Sequence, residues 1–188
     1  MPNQDITTIL TDAELASLRA GYSDAFMAAG ARNALIARLP RCAPLIDADM
    51  DLFYRADYGS QPYEIGTDGR EKVVLTALAV SGNWEMAGIH IYWALCLPGQ
   101  PLSPAQLGEV IMLAGTYSGV QVISMGLAAC ARIFGLLKTA VAEDLTSSQY
   151  VVPLLLGEPV AAVKAQAKAD RKAAAKAQKA PKPAKSKA

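Results

Sequence analysis

Between Glu85 and Arg132 the chain carries one formally charged residue, Glu109. A stretch of that length with one charge must be buried in a core, in an oligomer or in a bilayer. The bilayer is disfavoured by punctuation. Met86–Gly108 is interrupted by Pro98-Gly99-Gln100-Pro101 and by Ser103-Pro104, and Val110–Ala131 by Gly115-Thr116-Tyr117-Ser118-Gly119. No Lys/Arg cluster flanks either segment to set a topology. Packed helices are expected here, in a chain with no membrane partner.

Helix signals extend this pattern in both directions. Thr11-Asp12-Ala13-Glu14 has the form of a capping box. The helix after it should place Leu15, Leu18, Tyr22 and Phe26 near one face and stop at Gly30. Ala31–Leu39 reads as a shorter helix ended by Pro40. Residues 44–57 read as an amphipathic helix with Leu45, Leu52 and Phe53 inward and Asp47, Asp49 and Asp51 outward, followed by a turn at 58–62. Thr67 or Asp68 should cap the next helix. Its apolar run, Val73 to Val80, should be buried on most sides; the β-branched residues also suit a strand, but length and flanking helices favour helix. After a break at Ser81-Gly82-Asn83, a helix over 84–97 carries His90, the only histidine. Ser103 and Pro104 open another, to about Thr116. Tyr117-Ser118-Gly119 turns the chain into a long helix over 121–142, where Gly126, Ala128, Ala129 and Ala131 permit close approach. Pro153, Gly157 and Pro159 argue against a long helix over 145–160. The fold class expected is all-α.

Charge is segregated. Residues 161–188 carry nine Lys/Arg and one Asp, a net of +8, while residues 1–160 carry nine Lys/Arg and sixteen Asp/Glu, a net of −7. The 161–188 segment is Ala/Lys/Pro-rich. It could form a frayed helix up to Ala180, but it lacks an apolar face, so disorder is expected. Such a segment can touch a polyanion through charge, or act as a solubilising extension. Cys42, Cys96 and Cys130 form no C-x-x-C pair and are odd in number, which fits buried reduced thiols in a cytoplasmic protein better than a disulfide framework or zinc site. The N-terminus lacks the basic and apolar regions of a secretory signal. A single histidine with scattered carboxylates makes no metal shell, and no Gly-rich strand–turn–helix suggests a nucleotide. No cofactor is expected.

From Arg70 onward the order of features resembles the carboxymuconolactone decarboxylase family, which includes the alkylhydroperoxidase D-like proteins. The resemblance covers about residues 44–137 and is best from Arg70 to Gly126. It rests on Arg70-Glu71 at an apolar helix, and on His90 followed by Ala94-Leu95-Cys96-Leu97-Pro98-Gly99, one residue longer than the family ending. The polar helix start Ser103-Pro104 and the Tyr117-Ser118-Gly119 turn complete it. In the peroxidase-like branch a glutamate, a C-x-x-C pair and a histidine carry the chemistry. By spacing these fall on Glu71, on Asn83 and Met86, and on His90. Asn and Met cannot exchange disulfides, so a thiol peroxidase is disfavoured. The decarboxylase-like branch, which lacks the cysteine pair, fits better.

The resemblance implies a helical bundle over 44–144 with an N-terminal extension over 1–43. It implies a homo-oligomer, trimer or hexamer, with the histidine lining a pocket at a subunit interface. The 52% apolar content is compatible with such an assembly. The activity implied is that of a lyase on a carboxylated lactone or related ring acid. Losing carbon dioxide requires a place for the electron pair and an acid to protonate the carbon, and imidazole titrates near neutral pH. His90, Met86 and Asn83 fall on one helical face at i, i−4 and i−7. Glu71, on the preceding helix, can orient the imidazole, with Glu85 as the alternative carboxylate. Asn83, Met86, Arg70 and Tyr117 complete the candidate site as substrate-binding residues. Against this stand plainer roles: a core histidine, Trp84, Met86 and Trp93 as packing, and Tyr117 as a turn anchor. A non-catalytic scaffold of the same fold, recruiting an anionic partner through its basic tail, is the alternative.

Overall fold

The computed structural model describes residues 5–23, 32–33, 36–37, 39–48 and 66–178. Every regular element among them is helical. The longer helices are α1 (Asp12–Gly21), α2 (Gly66–Val80), α3 (Trp84–Cys96), α4 (Pro104–Ser118), α5 (Val120–Ala142), α6 (Ser148–Leu155) and α7 (Val160–Gln178). Single 3-10 turns occupy Ile6–Thr8 and Pro40–Cys42.

The local start signals act as chemistry dictates. The Thr11 hydroxyl accepts from the Glu14 amide at 3.2 Å, while the Glu14 carboxylate accepts from the Thr11 amide at 2.8 Å. Ser103 and Gln106 make the same reciprocal pair at the head of α4, with Pro104 in the first helical position. Asn83 caps α3 by accepting from the Met86 amide at 3.3 Å. At Gly119, with φ 114°, the chain reverses between α4 and α5. Those two helices then close tightly on each other. A Cβ on Gly126 would lie 2.5 Å from Ile111 Cγ2 and 2.8 Å from the Trp84 ring.

The core centres on α3, which packs against α1, α2, α5 and α6. Ile89, Ile91, Tyr92, Trp93, Ala94 and Leu95 are each at most 2% exposed. Burying the isoleucine and leucine side chains among them stabilises the fold by roughly 1.5–3 kcal/mol each. Two of the polar side chains carried inward are tied by hydrogen bonds. The Tyr92 and Ser148 hydroxyls lie 3.0 Å apart, and Ser148 Oγ accepts from the Ser23 amide at 2.8 Å. Arg19 Nε donates to the Leu95 carbonyl at 2.9 Å, tying α1 to the end of α3.

Several expectations are corrected. Helix α1 ends at Gly21 because Tyr22 turns extended, with ψ 141°, and its ring meets Tyr92 edge-on at 5.8 Å; Phe26 and Gly30 lie outside the described residues. Residues 43–48 are helical, but Leu45 is 70% exposed rather than inward, and no residue of this segment belongs to the buried core. Leu52, Phe53, Asp49, Asp51 and the turn at 58–62 lie outside the described residues. Thr67 and Asp68 fall inside α2, which starts at Gly66, and do not precede it. Helix α2 is buried along one stripe only, Glu71, Leu75 and Ala79, while Val73 and Val80 are exposed; it lies at the edge of the bundle. Over 145–160 there is no long helix, as expected, but a helix of eight residues, Ser148–Leu155, which contains Pro153.

The largest correction concerns the basic segment. Residues 160–178 form a docked helix, where disorder from Ala161 was expected. Val163 and Ala167 are buried, and polar ties do the rest: the Tyr150 hydroxyl donates to Asp170 at 3.1 Å, Lys164 pairs with Glu143, and Arg171 pairs with Asp144 at 2.8 Å. Two small apolar residues among lysines leave too little signal to be read as a face. By length and composition alone, α5 is long and apolar enough to cross a membrane.

Candidate functional site

Helices α2 and α3 run one after the other through the tight turn at Ser81–Asn83, so the start of α2 comes to lie beside the middle of α3. Glu71 and His90 meet there. Glu71 Oε2 lies 3.0 Å from His90 Nδ1, and Glu71 is fully buried. A carboxylate oxygen can only accept, so the imidazole Nδ1–H donates to it. That bond fixes the tautomer and leaves Nε2 as the ring nitrogen with no hydrogen bond among the described residues. The other carboxylate oxygen, Oε1, lies 3.4 Å from the Arg70 guanidinium. Glu71 is therefore bracketed by two cationic or cation-capable groups, the arrangement that makes a buried carboxylate tolerable.

Trp93 completes the cluster. One turn beyond His90, its ring stacks on the imidazole with centroids 5.8 Å apart and planes 20° from parallel. The Arg70 guanidinium carbon sits 5.5 Å from the Trp93 ring centroid, a cation–π contact in a dry setting. Arg70, Glu71, His90 and Trp93 thus form one buried polar-aromatic unit. Arg70 and Glu71 are neighbours in sequence, about 100° apart around α2, and both reach α3.

The remaining candidates sit differently. Asn83 is exposed and its side-chain oxygen is engaged as the α3 cap, so it belongs to the turn rather than to the cluster. Met86 is half-buried one turn before His90. Tyr117 is 89% exposed on the last turn of α4, which places it at the surface rather than among the buried four. The side chain of Glu85, the alternative carboxylate, lies outside those described. The residue that sequence reasoning missed as part of the site is Trp93, read as packing alone. Its i+3 spacing from His90 was the available signal.

A cavity of about 480 Å³ lies elsewhere, between the end of α5 and α7, where Glu143, Leu145, Lys164 and Lys168 are among its lining. Among the described residues no group of three His, Cys, Asp or Glu side chains is placed to hold a metal ion. Cys96 and Cys130 are buried and free, and burial pushes each thiol up to about 12. No family model, no curated protein and no solved structure matches this chain.

Proposed function

We propose that the Glu71–His90 pair is a proton-transfer site of the carboxymuconolactone decarboxylase type, in an alkylhydroperoxidase D-like helical bundle. The observation that carries this reading is the 3.0 Å contact between a fully buried carboxylate and the chain's only imidazole. A carboxylate fixed to Nδ1 orients the ring and commits Nε2 to the substrate, the division of labour of a general acid/base histidine. The substrate class is a small carboxylated lactone or related ring acid. When its C–CO2 bond breaks, the electron pair passes into the conjugated lactone carbonyl. The doubly protonated imidazole then delivers its Nε2 proton to the carbon. Glu71 is a positioning residue in this scheme, and Arg70 holds Glu71 in place.

The oligomer belongs to the same proposal. Val73, Val80, Met112, Leu113, Tyr117, Val120 and Met125 are large and exposed in the single chain. A trimer, or a hexamer of such units, would cover side chains of this kind and set a neighbouring subunit beside His90. The second reading is a non-catalytic scaffold. It is favoured by the closure of the cluster, since both oxygens of Glu71 are already engaged and His90 is only 9% exposed.

The two readings part on one experiment. Wild-type protein and His90→Gln are incubated with carboxylated unsaturated lactones in D2O, and carbon dioxide release and deuterium at the product carbon are followed by NMR. The enzyme reading expects turnover by wild type and at least a hundredfold loss in His90→Gln. No turnover by wild type, or equal rates in both proteins, leaves the scaffold.

A further inference from the structure

Helix α7 is more than a counterweight to an acidic globule. Lys164, Lys168, Lys172 and Lys176 recur every four residues along it, and all four are exposed. In an α-helix that spacing sets successive rungs about 6 Å apart and turns each by about 40°, so the four occupy a band about 120° wide. Arg171 falls beside the same band. The helix's single acid, Asp170, lies outside it, held at the docked face by Tyr150 and Gln166 at 3.1 and 2.7 Å. Lys164 and Arg171 are paired with Glu143 and Asp144; Lys168, Lys172 and Lys176 make no ion pair among the described residues. Lys164, Lys168 and Arg171 also border the 480 Å³ cavity.

We propose that α7 is an ordered cationic rail that binds the phosphate backbone of double-stranded nucleic acid, independently of base sequence. This is an interaction surface separate from the Glu71–His90 site. A rung spacing of about 6 Å is close to two phosphate steps of one strand, each about 3.4 Å when measured along the duplex axis. The rest of the chain opposes such a partner: residues 1–160 carry a net of −7, so contact is confined to α7 and the lysines that follow it. The occupant is chosen by what α7 lacks. It has no aromatic residue on which unpaired bases would stack, which disfavours single strands. Its exposed non-polar residues are alanines, with no large side chain to enter a lipid boundary, which disfavours a membrane. Ordering also matters, because a docked helix has lost its conformational entropy before it meets the duplex.

The test is fluorescence anisotropy with the full chain and labelled 30-base-pair DNA and RNA duplexes, from 50 to 300 mM NaCl. Wild type should bind both duplexes, with affinity falling linearly on a log–log plot. Replacing Lys168, Lys172 and Lys176 together by Gln should weaken binding at least tenfold at 100 mM NaCl and reduce the slope by about 2–3, since each phosphate contact contributes about 0.9. The triple Arg variant should bind as wild type does, and circular dichroism should show the same helix content for all. Deleting residues 179–188 should leave measurable binding with the rail's share of the slope. The proposal is overturned if the Gln variant binds as wild type does, if the 179–188 deletion alone abolishes binding, if one DNA sequence is preferred more than tenfold, or if vesicles of one-third phosphatidylserine bind more tightly than either duplex.

Discussion

The carboxylate of Glu71 joins two helices through His90, nineteen residues further along the chain, with its second oxygen facing Arg70. Removing the carboxylate takes the acceptor from His90 Nδ1 and one ion-pair partner from Arg70 in a nearly dry setting. Glu71→Ala should therefore destabilise the fold by about 3–5 kcal/mol, the usual consequence of breaking a buried pair from one side. Glu71→Gln keeps the shape and one acceptor and should cost less than half of that. Urea unfolding of both variants measures the difference; equal losses would mean that volume, not charge, holds the cluster together.

Two glycines on α5 should respond to alanine with opposite signs. At Gly126 the new methyl meets Ile111 at 2.5 Å and the rigid Trp84 ring at 2.8 Å, so Gly126→Ala should destabilise by about 1–3 kcal/mol. A Cβ on Gly135 would meet, beyond its own stretch of helix, no atom of the described residues within 4 Å, so Gly135→Ala should stabilise the helix by about 0.5–1 kcal/mol. Thermal melts of the two variants decide it, and a loss at Gly135 would mean that the space beside it is filled.

The Thr11–Glu14 capping box gives a pH dependence. The backbone amide of Thr11, donating to Glu14, holds that carboxyl below its ordinary range, with Lys138 adding a smaller pull. A carboxyl whose folded value is depressed adds stability that is present above the unfolded value, near 4.5, and is lost as pH falls through the folded value. Wild type should thus lose melting temperature between pH 5 and pH 3 faster than Glu14→Gln, which has no such proton to take up. Independently, Thr11→Ala should cost about 1 kcal/mol at pH 7.

The thiols should divide one to two. Cys42 is half-buried, whereas Cys96 and Cys130 are buried with thiols pushed up to about 12, chiefly by desolvation. At pH 8 an aromatic disulfide reagent should titrate one thiol of the folded chain promptly and the other two only in denaturant. Prompt reaction of all three would show that α3 or α5 opens readily.

Docking of α7 can be read by its loss. Val163→Asp puts a charge on its buried stripe and should detach the helix, removing about a tenth of the chain's residues from the helical signal in circular dichroism. The melt of the core should move little, since α7 touches the bundle mainly through α6.

What could be read from the residues was what short range determines. The boxes at Thr11–Glu14 and Ser103–Gln106, the stop after Cys96 and the turn at Gly119 each need only a few neighbouring side chains. The approach of Glu71 to His90 was legible for a similar reason, because two helices joined by Ser81-Gly82-Asn83 must lie side by side. The exposure of Val73 and Val80 was not, since an apolar run does not say how many neighbours a helix will have. Nor was the seat of α7, which depends on Glu143, Asp144 and Tyr150 arriving from other elements. Trp93 fell between the two: its position beside His90 was fixed by helical period, but its contact with Arg70 required the fold.

Helix α3 is walled by four other helices, and this sets how long the imidazole keeps its place. Amides in a segment so enclosed exchange with solvent only when the whole domain opens, so those of residues 89–95 should be among the slowest in the chain. His90 rides on that segment. Its alignment therefore has the lifetime of the native state itself, and a substitution that frees the ring to wander must also shorten that lifetime.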